Sequence, residues 1–176
     1  MADFLVCYNW TMSDEDAPAA HAIKSDACPE GCAAGRCFAI SGINSGAFPS
    51  QYAAIADIPQ SQRGPAVQSF YQAEFWNQWY AQLASDEVAK RVFDMAVNAG
   101  PGTAVELLQR AVNDVAPPLA VDGAWGPNTV AAVNACASTA LVAAFQQRRV
   151  EYYEAIVARK PADSIYLDGW KARAMK

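Results

Sequence analysis

The stretch SDEVAKRVFDMAVNAG, running from Ser85 to Gly100, decides the fold. Ser85 offers a capping hydroxyl, and Asp86 and Glu87 place negative charge at the positive end of a helix dipole. Val88, Val92, Met95 and Ala96 then recur at three- and four-residue intervals, which gives one apolar face. Gly100-Pro101-Gly102 stops the pattern. The same period extends in both directions. Upstream, Arg63-Gly64-Pro65 opens a helix with Pro65 in its first turn, where the missing N–H is harmless. Its stripe reads Val67, Phe70, Tyr71, Phe75, Trp79 and Leu83. A short helical piece, Ser50 to Ala56, precedes it.

Downstream, Val105, Leu108, Val112 and Val115 share a face that Pro117-Pro118 ends, and Pro127-Asn128-Thr129 starts another helix. A long helix is expected from Ser138 to about Arg159, with Leu141, Phe145, Tyr152 and Ile156 facing inward, and a last one from Ile165 to Ala174. No run alternates with period two for long enough to make a strand. The first 65 residues, above all 24–64, read as irregular. The expected fold class is all-α.

Composition narrows the function. The chain has 176 residues, enough to bury a substantial core, and its 53% apolar and 18% charged content is that of a globular protein. A net charge of −5 leaves no basic stripe for phosphates, so nucleic acid is excluded as a partner. The longest apolar-rich tract, Ala131 to Phe145, is interrupted by Asn134, Ser138 and Thr139 and is too short to span a bilayer, so no membrane insertion is expected. The N-terminus, MADFLVC, has neither the positive region nor the long apolar region of a Sec signal peptide.

There are five cysteines, and three of them fall in CPEGCAAGRC, residues 28–37. One disulfide closing this loop is the expected arrangement, which leaves at least one thiol free. Two alternatives stay open: a zinc site made with the single histidine, His21, or unpaired thiols.

Several motifs occur in a fixed order: FYQAEFW (70–76), FDMAVNAG (93–100), LQRAVN (108–113), VDGAWGPNT (121–129), YYEAI (152–156) and Gly169-Trp170. This succession resembles glycoside hydrolase family 108, the phage-type N-acetylmuramidases with a C-terminal peptidoglycan-binding segment. The resemblance implies a lysozyme-like helical domain over residues 1–115 and a peptidoglycan-binding helical segment over 116–176. It implies cleavage of the β-1,4 bond between N-acetylmuramic acid and N-acetylglucosamine, with no cofactor and no metal. A glutamate acid is implied near the start of the chain, where the family carries Glu-Gly-Gly-Tyr and later Thr-x-x-Gly-Ile. Here the corresponding segments are WTMSDEDAP (10–18) and AISGIN (39–44), so Glu15 is the implied acid. Gly-Gly is replaced by Asp16-Ala17, the threonine is absent, and the cysteine loop lengthens the interval to Gly42.

The chemistry agrees with this choice. Glycosidic cleavage needs a proton on the leaving oxygen and a second carboxylate, or a held water, on the other face of the sugar. Glu15 is flanked by Asp14 and Asp16, with Tyr8 and Trp10 near enough in sequence to shield it. Asp26 and Asp94 are the candidates for the second group. Asn98 lies one turn from Asp94 on the same helical face and is, with Asn44, Trp10, Tyr52 and Trp125, a candidate substrate contact. Each has a plainer reading: Glu15 as an acid at a helix start, the Asp94–Asn98 pair as an internal hydrogen-bond network, the aromatics as core. Asp122-Gly123 and Thr129 read as turn and cap markers. Two other functions fit the same scaffold, a non-catalytic peptidoglycan-binding module and a lytic transglycosylase. The expected setting is the periplasm or cell wall, reached through a holin or a secretion system, with peptidoglycan strands as partner, an immunity or secretion protein as a further one, and a monomeric state.

Overall fold

The computed structural model describes residues 1–15, 20–30, 32 and 35–176, and the fold is mainly helical. The chain divides into two compact units, Phe4–Asn77 and Met1–Asp3 with Gln78–Lys176.

The Phe4–Asn77 unit contains helix α1 (Phe4–Glu15), strands β1 (Ile23–Asp26), β2 (Cys37–Ile40) and β3 (Ile43–Asn44), and helices α2 (Pro49–Ala56) and α3 (Gly64–Phe75). Two of these features correct the reading of the first 65 residues as irregular. Helix α1 buries Cys7, Tyr8, Thr11 and Met12. Its ring contacts continue into α3, where Tyr8 meets Tyr71 edge-on at 5.8 Å. The strands form an antiparallel sheet in the order β1-β2-β3, with Asp26 opposite Cys37 and Ile40 opposite Ile43. Ser41 and Gly42 make the two-residue turn between β2 and β3. Both have left-handed backbone, with φ of 49° and 80°, which is the turn that matches the twist of paired strands.

A disulfide joins Cys28 to Cys37, as expected for the loop, and Cys32 and Cys136 are free thiols. The zinc alternative with His21 is not supported. The Sγ atoms of Cys28, Cys32 and Cys37 cluster within 4.8 Å, while the His21 ring bonds to Ser41 Oγ at 2.7 Å. Buried Arg63 ties this unit together. Its guanidinium donates to the carbonyls of Ile55, Ala56 and Ile58 at the end of α2, and to His21 O at 2.8 Å. Ile55 O and Ala56 O lie in the last turn of α2, where a helix leaves carbonyls without intrahelical partners.

The sequence stripe running from Val67 to Leu83 does not make one helix. Helix α3 ends at Phe75, and Trp76 turns extended at φ −92°, ψ 137°. Trp79 and Leu83 belong to the other unit.

That unit holds α4 (Asp86–Ala99), α5 (Pro101–Val115), α6 (Pro127–Ala135), α7 (Ser138–Arg159) and α8 (Leu167–Met175). Ser85 caps α4 by accepting from Val88 N at 3.4 Å. Pro101 opens α5 directly, so Gly100-Pro101-Gly102 ends one helix and begins the next. Val92, Phe93, Leu108, Val112, Leu141, Phe145 and Tyr153 form its core. Among the described residues no single helix is long and apolar enough to cross a membrane.

Candidate active site

Glu15 is the last residue of α1, and it is half-buried. It therefore does not sit at a helix start, and the plain reading of it as a dipole-complementing acid fails: a carboxylate at a helix C-terminus faces the negative end. Asp16, Ala17 and Pro18, which depart from the family pattern, lie outside the described residues.

A pocket of about 220 Å³ is lined by Glu15, Lys24, Ser25, Asp26, Ala39, Ser41 and Gly42. The sheet builds its walls: β1 supplies Lys24, Ser25 and Asp26, β2 supplies Ala39, and the hairpin turn supplies Ser41 and Gly42. The turn presses on the glutamate. A Cβ added at Gly42 would lie 2.8 Å from Glu15 Oε2 and 2.8 Å from Tyr71 OH. Only a glycine permits this approach, and the φ of 80° independently favours glycine. The turn is held from beneath, because Tyr71 OH donates to Ser41 O at 2.7 Å. His21 and Ser41 are the non-glycine residues with positive φ among those described, and they are hydrogen-bonded to each other. Backbone strain of this kind concentrates where geometry must be exact to a fraction of an ångström.

Asp26 is exposed, and its carboxylate is oriented. Oδ2 accepts from Asn44 Nδ2 at 2.7 Å, and Oδ1 accepts from Ala27 N at 2.8 Å. Asn44 also donates to Ala27 O and accepts from Gly46 N, both at 2.8 Å. Asn44 thus positions the carboxylate of Asp26. The cysteine loop anchors the same corner, since a Cβ at Gly46 would come within 2.9 Å of the sulfurs of Cys32 and Cys37.

The remaining candidates stand elsewhere. Trp10 and Tyr52 are half-buried on α1 and α2 and do not line this pocket. Asp94, Asn98 and Trp125 belong to the other unit. Asp94 is fully buried and its oxygens are taken by Arg149 at 2.5 Å and Arg173 at 2.7 Å. Asn98 is exposed and accepts from Tyr153 OH at 2.7 Å. Burial, with Asp94 close by, pushes the Tyr153 hydroxyl above its ordinary pKa, and Arg149 and Arg173 oppose that shift. This is the internal network, the plainer of the two readings open to the pair. Trp125 packs edge-on against Tyr80 at 5.3 Å.

Sequence reasoning did not select Lys24, Ser25, Ser41, Gly42 or Tyr71 as site residues. A signal existed for three of them: Gly42 is the glycine of the family's Gly-Ile segment, Ser41 precedes it, and Tyr71 lies in the FYQAEFW motif.

Comparison with known proteins gives two family matches. Residues 39–100 match the family described as Glycosyl hydrolase 108, and residues 103–175 match the one described as Predicted Peptidoglycan domain. Gly42 and Asn44 fall within the first range, while Glu15 and Asp26 precede it. No curated protein matches the sequence. Among solved structures, that of Brucella abortus SagA is similar, with a TM-score of 0.65 at 20% identity over 97% of this chain and 88% of that one. At such identity the likeness concerns the fold. Between them the two matched ranges take in most of the chain, a segment similar to glycosyl hydrolase 108 followed by one similar to the peptidoglycan domain, and the two matches support a peptidoglycan hydrolase of the glycoside hydrolase class.

Proposed function

We propose that the protein is an N-acetylmuramidase that cleaves the β-1,4 bond between N-acetylmuramic acid and N-acetylglucosamine, with Glu15 as general acid. The observation that carries this reading is the presence of Glu15 and Asp26 on the walls of one open pocket. Glu15 protonates the leaving glycosidic oxygen as positive charge builds on the sugar ring. Asp26, held by Asn44, acts on the opposite face, as the base for a water or as a charge partner to the oxocarbenium-like centre. Lys24 and Ser25 add donors for sugar hydroxyls and N-acetyl carbonyls at the same pocket. Asp94 has no part in the chemistry, because a fully buried carboxylate clamped by two guanidiniums does not reach a sugar. The proposed site of action is the periplasm or cell wall.

Turbidity loss of purified peptidoglycan tests this reading. The wild type is expected to clear the suspension, and Glu15→Gln to lose at least about a hundredfold in rate. Equal rates would remove Glu15 from the role of acid. Mass spectrometry of the fragments distinguishes hydrolysis, which leaves reducing ends, from a transglycosylase reaction, which leaves 1,6-anhydro ends.

A further inference from the structure

The peptidoglycan domain carries a groove that the catalytic reading does not use. It lies between the outer ridges of α5 and α7 and measures about 460 Å³. Helix α5 contributes Glu106, Leu107 and Arg110, and α7 contributes Arg148, Glu151, Tyr152 and Arg159. On α5 Arg110 lies three and four residues beyond Leu107 and Glu106, and on α7 Glu151 and Tyr152 lie three and four residues beyond Arg148 with Arg159 seven beyond Tyr152, so each set shares one face. Leu107 is buried and Tyr152 half-buried, and together they supply apolar area beneath charged rims.

The polar contacts favour an open groove. Arg110 pairs with Glu106 along α5, and Arg148 pairs with Glu151 along α7. Arg148 also reaches Asp114 on α5, which clamps the two helices. Among the described residues no carboxylate pairs with Arg159, whose Nε donates to Ala155 O at 3.2 Å. The rims thus offer an arginine with unused fork donors, two further guanidiniums and two carboxylates. A polyanion would be repelled by Glu106 and Glu151. A bare glycan strand would favour several aromatic platforms, and Tyr152 is the one aromatic here. A short peptide that bears both carboxylates and an amine matches the pattern. Guanidinium forks take carboxylates in parallel hydrogen bonds, and glutamates take an ammonium group.

We infer that this groove binds the stem peptide of peptidoglycan, with Arg159 on a peptide carboxylate and Tyr152 against its backbone. The inference rests on the proposed action on peptidoglycan and specifies which part of the wall polymer the domain grips. Every lining residue falls inside the matched 103–175 range.

The test uses the full chain carrying Glu15→Gln, so that the wall stays intact during the measurement. Co-sedimentation is measured with whole sacculi and with sacculi stripped of stem peptides by an N-acetylmuramoyl-L-alanine amidase. The released soluble peptide serves as competitor. Binding is expected to weaken about tenfold on stripping, and by a similar factor in Arg159→Ala and in Tyr152→Ala, with Arg159→Lys recovering only part. The melting temperature of Arg159→Ala, at an exposed position, is expected to match the parent, which separates lost binding from lost folding. Equal binding to stripped and whole sacculi would overturn the inference, as would failure of the soluble peptide to compete. Cleavage of peptide-free glycan chains by the wild type, compared with Glu15→Gln, is unaffected by either result and reports on the proposed catalysis separately.

Discussion

The Glu15 carboxylate stands against a glycine whose replacement would collide with it. Gly42→Ala places a methyl group 2.8 Å from Glu15 Oε2 and forces a side chain into left-handed backbone. The conformational term costs roughly 1–3 kcal/mol. Displacing a reacting group by about an ångström costs up to roughly a hundredfold in rate. Urea denaturation and peptidoglycan turbidity should both show the loss; unchanged activity would mean that the Glu15 position is not critical. Asp94 makes the opposite case. Arg149 is fully buried beside it, so Asp94→Ala strands a cation in the interior. A loss of about 3–5 kcal/mol in unfolding free energy is expected. A substitution there that left stability intact and abolished catalysis would reverse the structural assignment.

Among the elements, the turn after α5 shows what the family signature is for. Buried Gln109 donates to Asp122 Oδ1 at 2.8 Å and accepts from the amides of Asp122 and Gly123 at 3.0 and 2.9 Å. Thr129 was expected to cap α6; its hydroxyl instead bonds back to Ala124 O at 3.4 Å, and Gln109 reaches it at 3.3 Å. The motif is a hydrogen-bond knot that fixes the 121–126 loop to α5. Gln109→Ala leaves those amides without their acceptor, and about 1–3 kcal/mol of destabilisation is expected. Native-state hydrogen exchange at the Gly123 amide should accelerate with it; unchanged protection would show that the loop is held by other contacts. Helices α4 and α5 were legible because their apolar faces repeat cleanly, and α6 because Pro127 marks its start. Helix α1 was not, since Leu5 and Val6 are exposed while Thr11 is buried, which blurs any stripe. Strands β1 to β3 span four, four and two residues, and β1 is exposed throughout, so no alternation existed to detect.

For the molecule as a whole, charge sets the encounter with its substrate. The net charge of −5 opposes approach to an anionic wall. Hydrolysis of intact sacculi is therefore expected to quicken as salt rises from about 10 to about 150 mM, as the screening length falls from about 30 to about 8 Å. A rate that falls steadily over that range would show that local arginines, such as those along α5 and α7, govern the encounter instead.

Periodicity, caps and ordered motifs in the sequence determined the helical class and the resemblance to glycosyl hydrolase 108, from which Glu15 follows as the implied acid, because each pattern depends on residues close together in the chain. Tertiary structure alone decided which second carboxylate shares a pocket with that glutamate. Asp26 and Asp94 are chemically identical, and one is set on an exposed strand edge while the other is enclosed by two arginines from 55 and 79 residues away. Burial and charge pairing between distant segments separate them, and no local pattern encodes either.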